Sequence, residues 1–521
     1  YGLYVHAYNR APRGSVCRKA FTAVRGSWEA VRQGYVGWRN PPAFALGETQ
    51  ERTLARPSVP RLGRDSLRMY YLCPSRCAGK DPRAFVEEAR EMGANYVALS
   101  AYTPFWRTRL HPAGGSDLLE NVIREAHEHG LGVYVNLVHD SRFVAAITPE
   151  DDQEACMLTH RDLYLETYRE LARHDVDGIS LSDEGYLAVS DEAMRREFER
   201  RTRFSYDDAR AGVRGREFDI AHPATAELVL VRMALYNEHK RAMTEAVRAI
   251  KPDLIVTRLF SPNNHSGIAS FDDLETDGEY FSCASTDLYS TDVSATRFMT
   301  QWTRALGGNH RSRAPINFPG CLFEKERLWI NQQQHLFAGS CNFLHFSGGF
   351  NVAVPRTVIE VKRFYNWIDF TGLGDRMARA EPARHLGILW DREAFMASVR
   401  RGERSRGTTA PVFYERPVEA LVRRPDTQAD ILFGRFFRQP GAADAYPVVL
   451  VPSGRVLGEG ILEAMERYAR QGGSVIVCGL ALAQPGAGDL AGVTAGQELA
   501  RRRVQVAGAD GAAAEPGQPV T

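Results

Sequence analysis

The sequence predicts an α/β fold, with a (β/α)₈ TIM barrel over residues 66–375 followed by a smaller α/β domain. Short, continuous apolar runs recur along this stretch, and a helix-length segment separates each from the next, which is typical of a parallel sheet buried on both faces. Eight such runs fall within about 300 residues, which matches a closed barrel better than an open doubly wound sheet. No glycine-rich nucleotide-binding turn follows any of them, so the open sheet is disfavoured.

The first strand–helix unit has the clearest boundaries. The apolar run Met69–Leu72 ends just before Pro74. Asp81-Pro82 then predicts a helix start, because an aspartate N-cap followed by proline at the first helical position is a favoured combination. Gly93 predicts the end of that helix, since glycine readily adopts the left-handed conformation found there.

The remaining units follow the same pattern. The predicted strands are Tyr96–Leu99, Val133–Val138, Gly178–Leu181, Leu254–Val256, Phe281–Ala284, Pro315–Phe318 and Phe343–Phe346. The predicted helices between them are Ser116–His129, Arg161–His174, Ala226–Ile250, Thr296–Leu306 and Leu328–Ala338.

Three further segments flank or follow the barrel. Residues 1–65 are irregular and predict either an extended arm or a partial domain. Residues 380–482 predict a separate α/β domain with strands His385–Trp390, Tyr446–Pro452 and Ser474–Val477 and the helix Glu459–Arg470. Residues 483–521 are rich in glycine and alanine, and we expect them to be disordered.

Composition excludes several classes of function. The net charge of +1 gives no argument for a nucleic-acid partner. No apolar run approaches the roughly 18 residues of a membrane span, so no membrane partner is expected. Eight cysteines are scattered, and no second cluster completes a zinc pattern with Cys73 and Cys77. We therefore expect no metal and no other cofactor, and scattered thiols favour a cytoplasmic location.

Polar and aromatic residues are concentrated where the predicted strands end. In a barrel of this type the loops after the strands build the functional site. The predicted substrate-binding residues are Tyr102, Trp106, Arg109, His111, Asn136, His139, Tyr186, Asn263, Tyr289, Asn317 and His345.

The adjacent pair Asp183-Glu184 after the fourth strand is the sharpest acidic feature. Glycoside cleavage needs two carboxylic groups on opposite sides of the bond, one to protonate the leaving oxygen and one to attack or to activate water. Consecutive side chains at a strand end point in different directions, so this pair cannot supply both groups. Asp287 and Glu324 are the predicted sources of the second carboxylate.

The segment Ser182-Asp183-Glu184-Gly185-Tyr186 resembles the fourth-strand motif of family 42 glycoside hydrolases, the β-galactosidase type. The resemblance implies that Glu184 is the acid/base, and Asp183 stands where that family has an asparagine. The family also places a nucleophilic glutamate at the end of the seventh strand. Here Pro315–Gly320 holds no carboxylate, and the next one is Glu324.

Two further resemblances bear on the chain. The stretch from Val176-Asp177-Gly178-Ile179 to Asp183 resembles α-fucosidase and α-galactosidase barrels, in which a fourth-strand aspartate is the nucleophile. Asp287 would then be the acid/base. Residues 446–479 are similar to the trimerisation domain of family 42 enzymes, a glutamine-amidotransferase-like fold, which implies a homo-oligomer.

The sequence therefore predicts a glycosidase that acts on a carbohydrate substrate. One alternative is a non-catalytic carbohydrate-binding barrel, because the expected seventh-strand carboxylate is missing. A metal-dependent barrel hydrolase is the other, suggested by His111, His139, His265 and His345. No H-x-H motif follows the first strand, where such barrels usually place their first ligands.

Overall fold

The structure is a computed structural model, and it describes the central part of the chain. The described residues are 59–62, 64–72, 81–101, 118–137, 158–159, 161–180, 191–214, 217–260, 274–287, 293–306, 316–318, 332–333, 335–336, 338–347, 355–380, 384–401, 429–452 and 457–477. The predicted tail 483–521 and almost all of the predicted segment 1–65 lie outside them.

The centre of the fold is a closed barrel of eight parallel strands. The strands up to the end of the barrel are β1 (Arg68–Leu72), β2 (Tyr96–Ala101), β3 (Gly132–Leu137), β4 (Gly178–Ser180), β5 (Val213–Arg214), β6 (Glu217–Phe218), β7 (Ile255–Phe260), β8 (Cys283–Asp287), β9 (Ile316–Phe318) and β10 (Asn342–Ser347). Around the barrel the order is β1-β2-β3-β4-β7-β8-β9-β10, and β10 pairs with β1 to close it. β5 and β6 form a separate antiparallel pair. The (β/α)₈ prediction is confirmed.

Helices pack around the outside of the barrel. They are α1 (Pro82–Glu91), α2 (Leu118–Glu128), α3 (Arg161–Arg173), α4 (Asp191–Arg201), α5 (Tyr206–Ala211), α6 (Pro223–Arg248), α7 (Leu274–Tyr280), α8 (Val293–Leu306), α9 (Pro355–Thr371) and α10 (Leu373–Arg379). The apolar faces of α1, α2, α3, α6, α9 and α10 share one buried core with the outward-facing strand residues, and it includes Phe85, Val122, Val133 and Phe343. Each fully buried side chain of this kind contributes about 1.5–3 kcal/mol to folding.

The first unit forms for the reasons that its sequence indicates. Asp81 is the N-cap of α1, and its carboxylate accepts a hydrogen bond from the backbone nitrogen of Arg83 at 3.0 Å. Pro82 takes the first helical position, where no backbone donor is needed. Gly93 follows the helix with φ of 81°, a left-handed conformation that glycine adopts without strain.

A second parallel sheet follows the barrel. Its elements are β11 (Leu386–Trp390), α11 (Arg392–Arg400), β12 (Ala429–Phe433), α12 (Gly434–Phe437), β13 (Val448–Val451), α13 (Ile461–Arg470) and β14 (Ser474–Val477). The strand order is β12-β11-β13-β14. β12 is absent from the sequence prediction.

One face of this second sheet packs against helices of the barrel. Trp302 of α8 contacts Trp390 of β11 and Phe433 of β12, with ring centroids 6.0 and 6.2 Å apart. These residues belong to one buried cluster that also includes Leu230 of α6. The sheet and the barrel therefore share an apolar core, and a separate domain over residues 380–482 stays a prediction.

A buried ion pair crosses the same contact. Arg304 of α8 is bonded to Asp430 of β12, and their side chains are 3% and 0% exposed. Arg304 also donates to the backbone oxygen of Ala338 at 3.0 Å, and Asp430 accepts from the hydroxyl of Tyr446 at 3.3 Å. Each charged group therefore has a second hydrogen-bond partner besides the other.

Within the described ranges, no helix combines the length and the apolar character needed to cross a membrane.

Candidate functional site

Alternate strand residues fill the inside of the barrel. Met69, Tyr96, Tyr134 and Leu344 form a buried apolar cluster there. Successive side chains of a strand point to opposite faces, so the residues between them face the helices instead.

Two glycines make room for the tyrosine rings. A Cβ atom on Gly132 would lie 2.4 Å from Cε1 of Tyr96, and one on Gly178 would lie 2.6 Å from Cδ2 of Tyr134. Neither position accepts a larger residue unless a ring moves. The interior of the barrel towards the amino-terminal ends of the strands is therefore a packed core.

Three polar side chains lie on the inner face of neighbouring strands, and we call Asn136, Ser180 and Thr257 the polar floor. Asn136 is in register with Ser180, and Ser180 with Thr257. Their exposed fractions are 2%, 1% and 0%. By strand alternation they share the inner face with Tyr134 and Gly178. The hydroxyls of Tyr134 and Thr257 are hydrogen-bonded to each other.

The side-chain oxygen of Asn136 is buried and has no hydrogen-bond partner among the residues that the structure describes. Leaving a buried acceptor unpaired costs about 1–3 kcal/mol, so such a group in a native fold calls for an explanation. A bound molecule that donates a hydrogen bond would satisfy it. β3 and β4 lead within three residues of the floor to His139 and Asp183 respectively.

His345 lies on the opposite face of its strand from Leu344, and it packs against the helices. Its Nε2 is hydrogen-bonded to the side-chain nitrogen of Gln332 and its Nδ1 to the hydroxyl of Tyr365. Burial lowers the pKa of His345 to about 3, so the ring is neutral at ordinary pH. Both ring nitrogens of His345 have hydrogen-bond partners within the core, so His345 is a core residue and not one of the substrate-binding residues that the sequence predicts.

Two other predicted residues are described through their backbone alone. Asp287 is the last residue of β8 and is in register with Phe318 of β9. Asn317 lies in β9, in register with Phe343 of β10. Both are therefore residues of the barrel wall.

The remaining predicted site residues lie outside the described part of the chain. They are Tyr102, Trp106, Arg109, His111, His139, Asp183, Glu184, Tyr186, Asn263, Tyr289 and Glu324. Among the residues that are described, no three His, Cys, Asp or Glu side chains are grouped so that they would hold a metal ion.

Asp177, which begins one of the resemblance motifs, lies at the amino-terminal end of β4. Its Oδ2 accepts a hydrogen bond from the backbone nitrogen of Val133 at 2.7 Å and lies 2.9 Å from Nε2 of His127. The hydrogen bond to Asp177 raises the pKa of His127. Residues at this end of a barrel serve stability, so Asp177 is not part of the site.

Sequence reasoning missed Ser180 and Thr257. The signal for them is alternation, because each lies two residues after an inward-facing position, Gly178 and Ile255 respectively. The same rule separates Arg258 from the site. Arg258 is fully buried, and its guanidinium carbon lies 5.0 Å from the ring centroid of Tyr236 on α6.

Comparisons of sequence find no counterpart for this chain. No family model matches it. No curated protein matches it either.

Solved structures do share its fold. A β-galactosidase from the psychrophilic Marinomonas ef1 has a TM-score of 0.58 at 12% identity, over 80% of this chain and 76% of that one. A GH42 β-galactosidase from G. stearothermophilus has a TM-score of 0.59 at 13% identity, over 82% and 73% of the two chains. An exo-β-1,4-mannosidase from Opitutaceae bacterium strain TAV5 has a TM-score of 0.51 at 13% identity, over 82% and 80%. At these identities the likeness establishes the fold.

Proposed function

We propose that the chain is a glycoside hydrolase that cleaves a glycosidic bond in an oligosaccharide or glycoside at the carboxyl-terminal end of the barrel. The observation that carries the proposal is the unpaired carboxamide oxygen of Asn136 in the polar floor. The chain also shares its fold with solved structures named as β-galactosidases and a mannosidase. Sugars present neutral hydroxyl groups, which donate the kind of hydrogen bond that Asn136 lacks.

Glu184 is the proposed general acid/base. It follows β4 by four residues, and β4 ends at Ser180 of the polar floor. In the bond-breaking step the Glu184 carboxylic acid gives its proton to the leaving glycosidic oxygen, while a nucleophile attacks the anomeric carbon. Asp183, beside it, is proposed to bind the substrate; if Asp183 is instead the nucleophile, Asp287 is the proposed acid/base.

Asp287 and Glu324 are the proposed sources of the second carboxylate. β8 ends at Asp287 and is separated from β4 by β7 alone, whereas Glu324 follows β9 by six residues. A separation of about 5–5.5 Å between the two carboxyl groups gives retention of configuration, and about 6.5–9.5 Å gives inversion. The stereochemistry of the product therefore reports which geometry operates.

The other predicted side chains would hold the sugar. Aromatic rings suit the apolar faces of a pyranose, and amide, guanidinium and imidazole groups suit its hydroxyls. The proposed set comprises Tyr102, Trp106, Arg109, His111, Asn136, His139, Tyr186, Asn263, Tyr289 and Asn317.

One feature of the sequence favours a second function, carbohydrate binding without cleavage. Pro315–Gly320 holds no carboxylate, although similar barrels use one at this strand end. A barrel with only one of its two carboxylates would still bind sugar.

A panel of aryl glycosides decides between the two functions. We expect the intact chain to hydrolyse at least one member, and Glu184→Gln to abolish turnover while calorimetry still detects sugar binding. Glu166→Gln is the control, because Glu166 lies on α3 and pairs with Arg173 at the surface. Sugar binding without cleavage of any glycoside would establish the binding barrel instead.

We also propose a homo-oligomer formed through residues 380–482. The support is the resemblance of residues 446–479 to a trimerisation domain. Light scattering of the purified chain measures the mass directly, and a monomer at all concentrations would contradict the proposal.

A further inference from the structure

Glu275 of α7 extends from the barrel into the second sheet. Its side chain is almost fully buried, with the residue 3% exposed. Oε2 accepts a hydrogen bond from the backbone nitrogen of Arg392 at 3.0 Å, and Oε1 accepts one from the backbone nitrogen of Arg435. These two amides belong to different elements, α11 and α12. One barrel carboxyl group thus holds two segments of the second sheet.

A second buried carboxyl group lies beside it. Asp391, which directly follows β11, accepts hydrogen bonds from the backbone nitrogens of Ala394 at 3.0 Å and Gly458 at 2.7 Å. The guanidinium of Arg438 lies between the two acids, 3.1 Å from Oδ1 of Asp391 and 3.8 Å from Oε1 of Glu275. One positive charge therefore faces two buried carboxyl groups.

Other charged groups surround this cluster at its edge. Glu393 of α11 lies 3.9 Å from Arg438. Glu279, one helical turn after Glu275 on α7, lies 3.7 Å from Arg435. Arg435 in turn donates to the backbone oxygen of Leu306 in α8 at 2.8 Å. Both edge carboxylates are about half exposed, so they are screened by water.

The cluster occupies the switch point of the second sheet. β12 lies on one side of β11 and β13 on the other, so the crevice outside the carboxyl ends of β11 and β13 is where open parallel sheets usually bind ligands. Two glycines leave room for the buried carboxyl groups. A Cβ atom on Gly434 would lie 2.9 Å from Oδ1 of Asp391, and a Cβ atom on Gly458 would lie 2.6 Å from the same oxygen.

We propose that Glu275 is a pH-responsive clamp, in which the barrel inserts this carboxyl group into the switch-point crevice of the second sheet and ionisation of the group loosens the contact. The crevice then binds the Glu275 side chain of the barrel helix α7. Among the described residues, the side chain of Glu275 occupies it.

The electrostatics give the direction of the response. Burial, with the nearby Asp391 as a smaller cause, raises the pKa of Glu275 to about 7. Burial also raises the pKa of Asp391. A folded-state pKa above the ordinary 4.5 contributes stability that is present below that value and is lost as the pH rises through about 7. The contact is expected to be most stable with Glu275 protonated and to weaken on ionisation, because the penalty for burying the negative charge outweighs its two backbone hydrogen bonds and Arg438.

The position of α7 gives the clamp a consequence for the barrel. α7 follows the segment that holds Asn263 and precedes β8, which ends at Asp287. Loosening α7 would therefore act on β8, the barrel strand that follows it. The clamp itself does not depend on the proposed catalytic activity.

Hydrogen exchange of the full chain tests the clamp without any substrate. Protection of 392–400 and 434–437, corrected for intrinsic exchange, is compared at about pH 5.5 and 7.5. We expect it to fall about tenfold or more at the higher pH, since an opening that releases one proton changes by up to tenfold per pH unit. Glu275→Gln should remove this pH dependence, and Glu279→Gln on the same helix should keep it.

Three outcomes would overturn the proposal. One is equal protection of both segments at the two pH values in the unmodified chain, a comparison that needs no variant to fold. Another is an undiminished pH dependence in Glu275→Gln. The third is loss of the pH dependence in Glu279→Gln, which would assign the response to the edge of the cluster.

Discussion

Asn136 carries the strongest single-residue argument for a ligand in the barrel. Its oxygen is buried and has no partner in the described part of the chain, whereas the hydroxyl of Thr257 in the same floor is bonded to Tyr134. The two residues therefore respond differently to an apolar replacement. Removal of an unsatisfied group is near neutral or stabilising, but removal of a bonded group breaks a buried hydrogen bond and costs stability.

We expect Asn136→Leu to leave the free energy of unfolding unchanged or raised and to lower kcat/KM by about tenfold or more, the equivalent of one lost hydrogen bond of about 1.4 kcal/mol. Thr257→Val is the matched control and should lower the free energy of unfolding by about 1–3 kcal/mol. Denaturant unfolding and steady-state kinetics measure the two effects. A destabilised Asn136→Leu with unchanged kcat/KM would assign Asn136 to structure alone.

His345 and His335 make the fold sensitive to acid. Burial lowers the pKa of each to about 3, below the ordinary 6.5. A depressed folded-state pKa contributes stability that is present above 6.5 and is lost as the pH falls towards 3. We expect the free energy of unfolding to fall by up to about 1.4 kcal/mol per pH unit for each ring below about pH 6.5. Urea titrations at several pH values check this, and a His345→Gln variant with an undiminished slope would contradict it.

Among the helices and strands, α8 and β12 are joined by a buried ion pair to which each contributes one charge. Asp430→Asn removes the negative charge that lies beside the buried Arg304 guanidinium. We expect the free energy of unfolding to fall by about 3–5 kcal/mol, because removing one partner of a buried ion pair leaves the other charge uncompensated. Chemical denaturation measures it, with Glu466→Gln in the exposed pair with Arg470 as the control. Equal small effects of both substitutions would show that the buried pair is dispensable.

Element boundaries could be predicted where local chemistry decides them. The start of α1 at Pro82 and the end after Glu91 follow from Asp81, proline and Gly93. β12 could not be predicted in this way. Asp430 interrupts its apolar pattern, and the residue that makes this aspartate acceptable, Arg304, lies 126 positions away in sequence. Tertiary pairing, which a local pattern does not contain, decides that strand.

The candidate site shows the same division. Strand ends could be located from the sequence, and Asn136 lies where the pattern indicates. The face of a strand could not be assigned, because a shift of one residue turns a side chain from the interior to the helices. His345 therefore belongs to the helix-facing core, and Ser180 and Thr257 belong to the interior.

At the scale of the whole molecule, the barrel and the second sheet depend on a common core. Trp302 and Leu306 of α8 pack in the same cluster as Ile388 and Ile431 of the sheet. Removal of residues 381–521 would expose this apolar surface to water. We expect the truncated chain to aggregate, because large exposed apolar patches promote association.

Size-exclusion chromatography and calorimetry of the full and truncated chains test this dependence. The full chain should unfold with the barrel and sheet in one cooperative transition. A truncated barrel that stays soluble and keeps the melting temperature of the full chain would show that the shared core is not needed.

Protonation of the leaving group by Glu184 is tested by kcat/KM of the unmodified chain and of Glu184→Gln across aryl glycosides of increasing leaving-group pKa. General acid catalysis contributes about 10²–10⁴-fold, and more where the leaving group is a poorer one. We expect the defect of Glu184→Gln to grow from small to that size as the leaving-group pKa rises. A defect that is the same for every leaving group, or no cleavage of any glycoside by the unmodified chain, would contradict the role of Glu184 as the general acid.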